Sequence, residues 1–277
     1  MKIVESFTSL QKALGDLKKP IGFVPTMGYL HDGHLSLVKR AKQESGSVVV
    51  SIFANPTQFA PNEDLENYPR DIDRDLELLN DANTDLVWIP TGESMYPEDF
   101  QTWVEVKELS IPLEGKFRST HFRGVTTVVS KLFNAVQPQR AYFGQKDAQQ
   151  AVVVKQMTRD LNYPIEIIIC PLIREPDGLA MSSRNIYLND QEREAALCLS
   201  RGLLEARNAY QRGERDAEKL RDSVNDVVAE EPLAEVQYIS CALPETLEEL
   251  NGKVETCLLS MAVFIGRIRL IDNVVLE

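Results

Sequence analysis

"IGFVPTMGYLHDGHLSLVKRAKQES", residues 21–45, decides how the chain is read. The first five residues are a short apolar run of strand type. Residues 33–45 carry Leu35, Val38 and Ala41 at helical spacing and end before Gly46. Asp32 stands where a helix cap is expected. A strand therefore gives way to a helix through a turn that holds Gly28, Gly33 and two of the chain's 3 histidines, His31 and His34. Residues three apart near the first helical turn share a face. Both imidazoles, the glycine backbone and the helix N-terminus then converge on one point, which suits an anion and above all a phosphate. Histidine donors there can stabilise charge developing during nucleotidyl transfer. Spacing alone leaves two other readings open: a metal pair completed by His121 or Asp32, and a polar loop whose histidines satisfy backbone carbonyls.

Outward from this stretch, apolar runs alternate with helical segments. Residues 21–25, 48–54, 85–90, 140–144 and 165–170 read as buried strands, being β-branched or aromatic and bounded by turn residues. Helices are predicted over 33–45, 71–82, 124–136 and 147–160. This alternation predicts an α/β fold: a Rossmann-like parallel sheet with helices on both faces. Ligands in such sheets sit beyond the carboxyl ends of the strands. After about residue 185 the character changes to two amphipathic helices, 190–212 and 214–230, and then a run of strands. That pattern predicts a smaller C-terminal α+β domain. The expected division is 1–175 for the main ligand-binding domain and 176–277 for a smaller lid domain, with a hinge near 174–186 where Pro176, Asp177 and Gly178 fall.

The 277 residues allow one large domain or two modest ones. A net charge of −12 argues against nucleic acid or an anionic membrane as partner, since both need a basic face. No apolar run approaches a membrane span, and the N-terminus has no leader-like apolar core. Cys170, Cys198, Cys241 and Cys257 are widely spaced without a CxxC pair, so structural zinc and a disulfide framework are not expected. A reducing cytoplasm is the simplest compartment.

Three further segments are candidates for chemistry, each with a plain alternative: a solvated loop for the first two, and structural side-chain-to-backbone bonds for the glutamines. "MSSRN", 181–185, offers two hydroxyl donors and a fixed cation for a triphosphate. "FGQKDAQQ", 143–150, ends a strand and opens a helix; Lys146 is a point charge for phosphate, and Asp147 suits a ribose contact or a helix cap. The pattern is not a Walker A loop. Gln58 in "NPTQF" and Gln150 offer amides to a small carboxylate or hydroxyl. An HxGH turn after the first strand, with a serine-rich basic loop after the last, is the pairing of enzymes that attack the α-phosphate of ATP.

With "PTMGYLHDGH", "NPTQF", "YPRDIDRD", "HFRGV", "YFGQKDAQQ" and "REPDGLAMSSRN" in this order over residues 25–185, the chain resembles the pantoate–β-alanine ligase (pantothenate synthetase) family of the HIGH-type nucleotidyl-transferase superfamily. The resemblance implies condensation of (R)-pantoate with β-alanine at the expense of Mg²⁺-bound ATP. A pantoyl adenylate would form first, releasing pyrophosphate, and the amine would then displace AMP. It implies a catalytic set of His31, His34, Lys146, Ser182, Ser183 and Arg184, with the family's general acid falling on His34. Thr26, Met27, Gly28, Tyr29 and Leu30 would line the ATP site with Asp32 and Gly33. Gly144, Gln145, Asp147, Ile173 and Met181 would also contact the nucleotide. Gln58 and Gln150 would hold pantoate, with Gln58 bordering the β-alanine position, and Asp75 would contact magnesium. A homodimer is implied too. The family usually has an acidic residue where Gln145 stands, and Pro-Gly where Ser119 and Thr120 stand; His121 reads as structural. The rival readings are another HxGH nucleotidyltransferase and a non-catalytic nucleotide-binding protein.

Overall fold

The computed structural model describes residues 1–60 and 65–277. They form two compact units: Met1–Gln145 with Gln149–Pro171, and Lys146–Ala148 with Leu172–Glu277.

The first unit runs β1 (Lys2–Val4), α1 (Phe7–Leu14), β2 (Ile21–Thr26), α2 (Asp32–Glu44) and β3 (Ser47–Ile52). It continues through α3 (Ile72–Asp81), β4 (Leu86–Trp88), the one-turn helices α4 (Gly92–Met95) and α5 (Glu114–Phe117), and α6 (His121–Val136). It ends with β5 (Arg140–Gly144), α7 (Ala148–Asp160) and β6 (Glu166–Cys170). The six strands form one sheet in the order β1-β4-β3-β2-β5-β6, every pairing parallel. This is the expected Rossmann-like α/β sheet.

The strands read as continuous apolar runs because both faces are buried. Phe23, Val49, Leu86, Trp88, Ala141 and Phe143 point into the core made with α1, α6 and α7. Their neighbours Val24, Val48, Val50, Val87 and Tyr142 point into the opposite core, made with α2 and α3. The period of two is thus hidden in hydrophobicity and visible only in space. Each fully buried Val, Leu or Phe contributes ~1.5–3 kcal/mol.

The strand order reverses direction between β2 and β5, which pair at Gly22 with Arg140 and Phe23 with Ala141. In an open α/β sheet the ligand crevice lies beyond the carboxyl ends of the strands at this switch point. The "TMGYLHDGH" turn leaves β2 there, and "GQKD" leaves β5 there.

In the second unit, α8 (Asp190–Gln211) and α9 (Ala217–Ala229) precede β7 (Ala234–Ala242), β8 (Cys257–Ile265) and β9 (Ile268–Leu276). The strands form an antiparallel sheet in the order β7-β8-β9, packed through Leu199, Leu220, Leu259 and Val263 against the helices. This is the smaller α+β body expected at the C-terminus. The segment read as a hinge, 174–186, lies inside this unit, and the units part between Pro171 and Leu172. All four cysteines are buried and free. No helix among the described residues is long and apolar enough to cross a membrane.

Candidate active site

The turn after β2 is held by its own backbone. Gly28 has φ +84 and Tyr29 φ +50, so the chain reverses through two successive left-handed residues. A Cβ on Gly28 would lie 3.0 Å from Ile52 Cγ2 and 3.1 Å from Asp75 Oδ2, so space as well as φ requires glycine. Thr26 Oγ1 donates to Ser51 O at 2.8 Å and accepts from Gly28 N–H at 3.3 Å. The Tyr29 and Leu30 N–H groups then point inward, each donating to one oxygen of the Asp75 carboxylate at 2.7 Å. Asp75 sits on α3 and is 1% exposed. Burial pushes its carboxyl above the ordinary range, against the pull of the two N–H donors and Arg74. Arg74 adds Nη1–H to Leu30 O at 3.0 Å and lies over the Tyr29 ring at 5.2 Å. Asp75 therefore has a job the sequence did not disclose: both its oxygens anchor the turn from a buried position on α3.

The cap of α2 is His31, not Asp32. His31 Nδ1 accepts from Gly33 N–H at 3.2 Å, and His34 Nδ1 accepts from His31 N–H at 3.3 Å. This is a reciprocal capping box built from imidazoles instead of Ser and Glu. Each ring accepts at Nδ1, so its proton is on Nε2 in the neutral tautomer. The rings lie 4.1 Å apart at 41°. Two Nε2–H donors are thus oriented as a pair beside the positive end of a helix. The third histidine, one of the two residues that could have completed a metal site, is engaged elsewhere: His121 Nδ1 donates to Gln58 O at 2.8 Å.

Gln58 ends a 3-10 turn, Pro56–Gln58, after β3 and is 9% exposed. Its Nε2–H donates to Met27 Sδ at 2.9 Å, and its Oε1 accepts from Asn55 Nδ2 at 3.1 Å. Asn55 caps this turn and also reaches Gly124 O at 3.2 Å. A Cβ on Gly124 would lie 2.4 Å from Thr57 O, so α6 approaches the turn closely only because that residue has no side chain. Behind Gln58 runs a chain of one ion pair and two hydrogen bonds. Glu114 pairs with Arg118 at 3.7 Å, Arg118 Nη1 donates to His121 Nε2 at 3.3 Å, and His121 holds the Gln58 carbonyl. Ser119 and Thr120 do not prevent this: the His121 N–H still turns back to Arg118 O at 3.0 Å. Gln150 is half-buried on α7, next to Gln149, whose amide binds Leu109 O, Pro112 O and Glu114 N–H. Gly144 closes β5 and Gln145 begins the 3-10 turn Gln145–Asp147.

In the second unit, Lys146 Nζ lies 3.4 Å from Asp147 Oδ1. Met181 N–H donates to Ile173 O at 3.0 Å, and Arg174 bridges Ala180, so residues 173–181 form a hairpin that brings Ile173 and Met181 side by side. Arg193 braces it, with Nη2 2.7 Å from Glu175 and 2.5 Å from Asp177. Asn185 ties it through Glu175 at 2.7 Å and Ala180 O at 3.0 Å. Ser182 follows the hairpin and caps a 3-10 helix, Ser183–Tyr187, by accepting from Arg184 N–H at 3.3 Å. Ser183 is buried within that turn and Arg184 is half-buried.

The sequence profile described as Pantoate-beta-alanine ligase matches residues 2–275. The chain belongs to the pantoate–β-alanine ligase family. Among its relatives, the pantothenate synthetase of Herpetosiphon aurantiacus is 57% identical over 257 residues, covering 92% of this chain and 93% of that protein. The crystal structure of pantothenate synthetase from Thermus thermophilus superposes with a TM-score of 0.95 at 44% identity over 99% of both chains. The pantoate-beta-alanine ligase of Francisella tularensis, solved in complex with beta-gamma ATP and beta-alanine, gives 0.81 at 37% identity, covering 99% of this chain and 97% of that one. In this ligase, the structure gathers Thr26–His34, Gln58 and Asp75 in the first unit. Lys146, Asp147, Ile173 and Met181–Arg184 lie in the second. Sequence reasoning left Asn55, Arg74, Arg118 and Gly124 unassigned, and read His121 as structural without naming what it holds. Asn before Pro in "NPTQF" is an N-cap signal that could have found Asn55; the others lie in the site only through long-range contacts.

Proposed function

We propose that this ligase adenylates (R)-pantoate at the HxGH turn and passes the pantoyl group to β-alanine. The pantoate carboxylate oxygen attacks the α-phosphorus of ATP, and the bond to pyrophosphate breaks. The β-alanine nitrogen then attacks the acyl carbon, AMP leaves with the carboxylate oxygen, and the amine loses a proton. The observation that carries this reading is the reciprocal histidine cap. It pairs two imidazoles with their Nε2 edges as donors beside a helix N-terminus, an arrangement suited to charge growing on phosphate oxygens. His34 serves as donor to the departing pyrophosphate, with His31 beside it. Thr26, Met27, Gly28, Tyr29, Leu30, Asp32 and Gly33 form the wall of the nucleotide site, continued by Gly144 and Gln145.

Gln58, buried and held at both ends, receives pantoate together with Gln150; its seat is rigid enough to orient a carboxylate for in-line attack. Lys146, Ser182, Ser183 and Arg184 meet the triphosphate from the second unit, with Asp147, Ile173 and Met181 along the nucleotide. Residues 176–277 serve as the lid that the resemblance implies, keeping water from the adenylate. Asp75 fits a turn anchor better than a magnesium ligand, because it is 1% exposed and each of its oxygens already accepts an amide N–H group. Among the described residues no group of three or more His, Cys, Asp or Glu could hold a metal. Magnesium instead arrives on the ATP phosphates, as this ion commonly does. The enzyme works in the cytoplasm as a homodimer.

The test is an assay with ATP and pantoate, with and without β-alanine, following pyrophosphate and AMP separately. Pantoate-dependent ATP–pyrophosphate exchange without β-alanine, and AMP release only with it, is the expected result. Pyrophosphate release that needs no pantoate would assign the turn to a different acceptor.

A further inference from the structure

β9 carries two polar residues in its interior, Asp272 and Asn273, only 2% and 5% exposed. Neither belongs to the site described above. Buried polar groups persist where their bonds are made, and here the bonds lead to the two phosphate-facing segments of the same unit. The Asp272 carboxylate takes Arg174 as a two-pronged pair, Nη1 at 2.6 Å and Nη2 at 3.0 Å. Arg174 opens the hairpin that delivers Met181 and Ser182, and its Nη1 also donates to Gly178 O at 3.1 Å. Asn273 Nδ2 donates to the backbone oxygen of Lys146 at 2.9 Å. The Asn273 N–H closes the arrangement on Asp272 Oδ1 at 2.7 Å. Burial pushes the Asp272 carboxyl above the ordinary range, opposed by Arg174 and, more weakly, by the Lys146 charge.

A lysine ammonium on a four-carbon stem is placed only as well as its backbone is placed. Lys146 stands in a three-residue 3-10 turn, Gln145–Asp147, with little local structure of its own. One buried amide from β9 pins that turn, and the adjoining carboxylate pins the hairpin. We propose that Asp272 and Asn273 are positioning residues for adenylation: they fix the backbone of Lys146 and the Arg174 hairpin in a single register on β9. The inference rests on the reading that Lys146 serves the triphosphate.

The experiment is a double-mutant cycle in the full-length protein, read as pantoate-dependent ATP–pyrophosphate exchange. Asn273→Ala is expected to slow exchange about 10–100-fold, the scale of a displaced reacting group, with kcat falling more than the KM for pantoate rises. Asn273→Leu, close in shape but without the donor, gives the same loss and covers the case in which the alanine variant folds poorly. On a Lys146→Ala background, Asn273→Ala adds no further loss. Asp272→Asn, acting through Arg174, still does. A merely structural asparagine would multiply the loss equally in both backgrounds and lower Tm in step, which overturns the proposal. If Lys146→Ala alone left exchange intact, the reading of Lys146 would fail and the clamp would have no purpose. If Lys146→Ala abolished exchange while Asn273→Ala and Asn273→Leu did not slow it, the clamp alone would fall.

Discussion

The HxGH turn of the first unit and the Arg174 hairpin of the second are both assigned to phosphate, yet they are built from different interactions. The turn relies on neutral imidazoles capping a helix and on one buried carboxylate gripping two amides. The hairpin, closed by its own main-chain bonds, is braced from outside by ion pairs: Arg193 with Glu175 and Asp177, about a quarter to a third exposed, and Arg174 with the buried Asp272. Main-chain hydrogen bonds fix atoms to a few tenths of an ångström, whereas partly exposed ion pairs are individually weak. Precision is therefore concentrated where the reacting phosphorus is assigned, and charge where the rest of the triphosphate is assigned.

The sharpest way to break this contrast is to remove a donor from the turn. His34→Ala is expected to lower pantoate-dependent exchange by about 10²–10³-fold, the scale of a lost transition-state donor, with far-UV circular dichroism unchanged. Undiminished exchange would sink the assignment of His34. Next comes the anchor. Asp75→Asn leaves one of two buried N–H groups facing a donor or without its partner, so Tm should fall by the equivalent of about 1–3 kcal/mol, with or without magnesium. A defect seen only as weaker magnesium dependence would restore the metal reading of Asp75. Smaller again, Gln58→Ala should raise the KM for pantoate about 10-fold or more, on the scale of a lost hydrogen bond to a charged group, and more than it raises the KM for ATP. His121→Ala, which releases the Gln58 carbonyl and removes the acceptor of Arg118 Nη1, should do the same more weakly. The reverse order of KM effects would dissolve the pantoate seat.

How much of this could be read beforehand depends on distance along the chain. The strands of the parallel sheet were legible because burial on both faces makes them unbroken apolar runs. β1, at three residues, and α1 behind it gave no pattern long enough to read. The start of α6 fell at His121, not at 124, because Thr120 makes no side-chain cap bond that would have marked it. His31 as the cap of α2 was hidden by chemistry, since imidazole is not among the usual capping groups. The resemblance named Asp75, but its work was hidden by separation: it meets Tyr29 and Leu30 across 46 and 45 residues. Asp272 and Asn273 lie beyond every motif.

The smallest effect tests the charged half of the contrast by pH. Burial pushes the Asp177 carboxyl up, but Arg193 and the Leu179 N–H outweigh it and hold the group below the ordinary carboxylate range. A carboxyl depressed in the folded state adds stability that is fully present above its unfolded pKa of about 4. That stability is lost as pH falls through the lower folded value. The pair is a third exposed on the Asp177 side, so the amount is about 1 kcal/mol or less. Asp177→Asn should therefore lower Tm slightly at pH 7, and the gap to the parent protein should close on acidification below pH ~4. Added salt at neutral pH should narrow the same gap, because exposed pairs are screened. The Asp75→Asn gap should persist in high salt, since buried amide-to-carboxylate bonds are screened much less. Equal salt sensitivity of the two gaps would mean that both regions are held by the same kind of force, and the contrast between them would be lost.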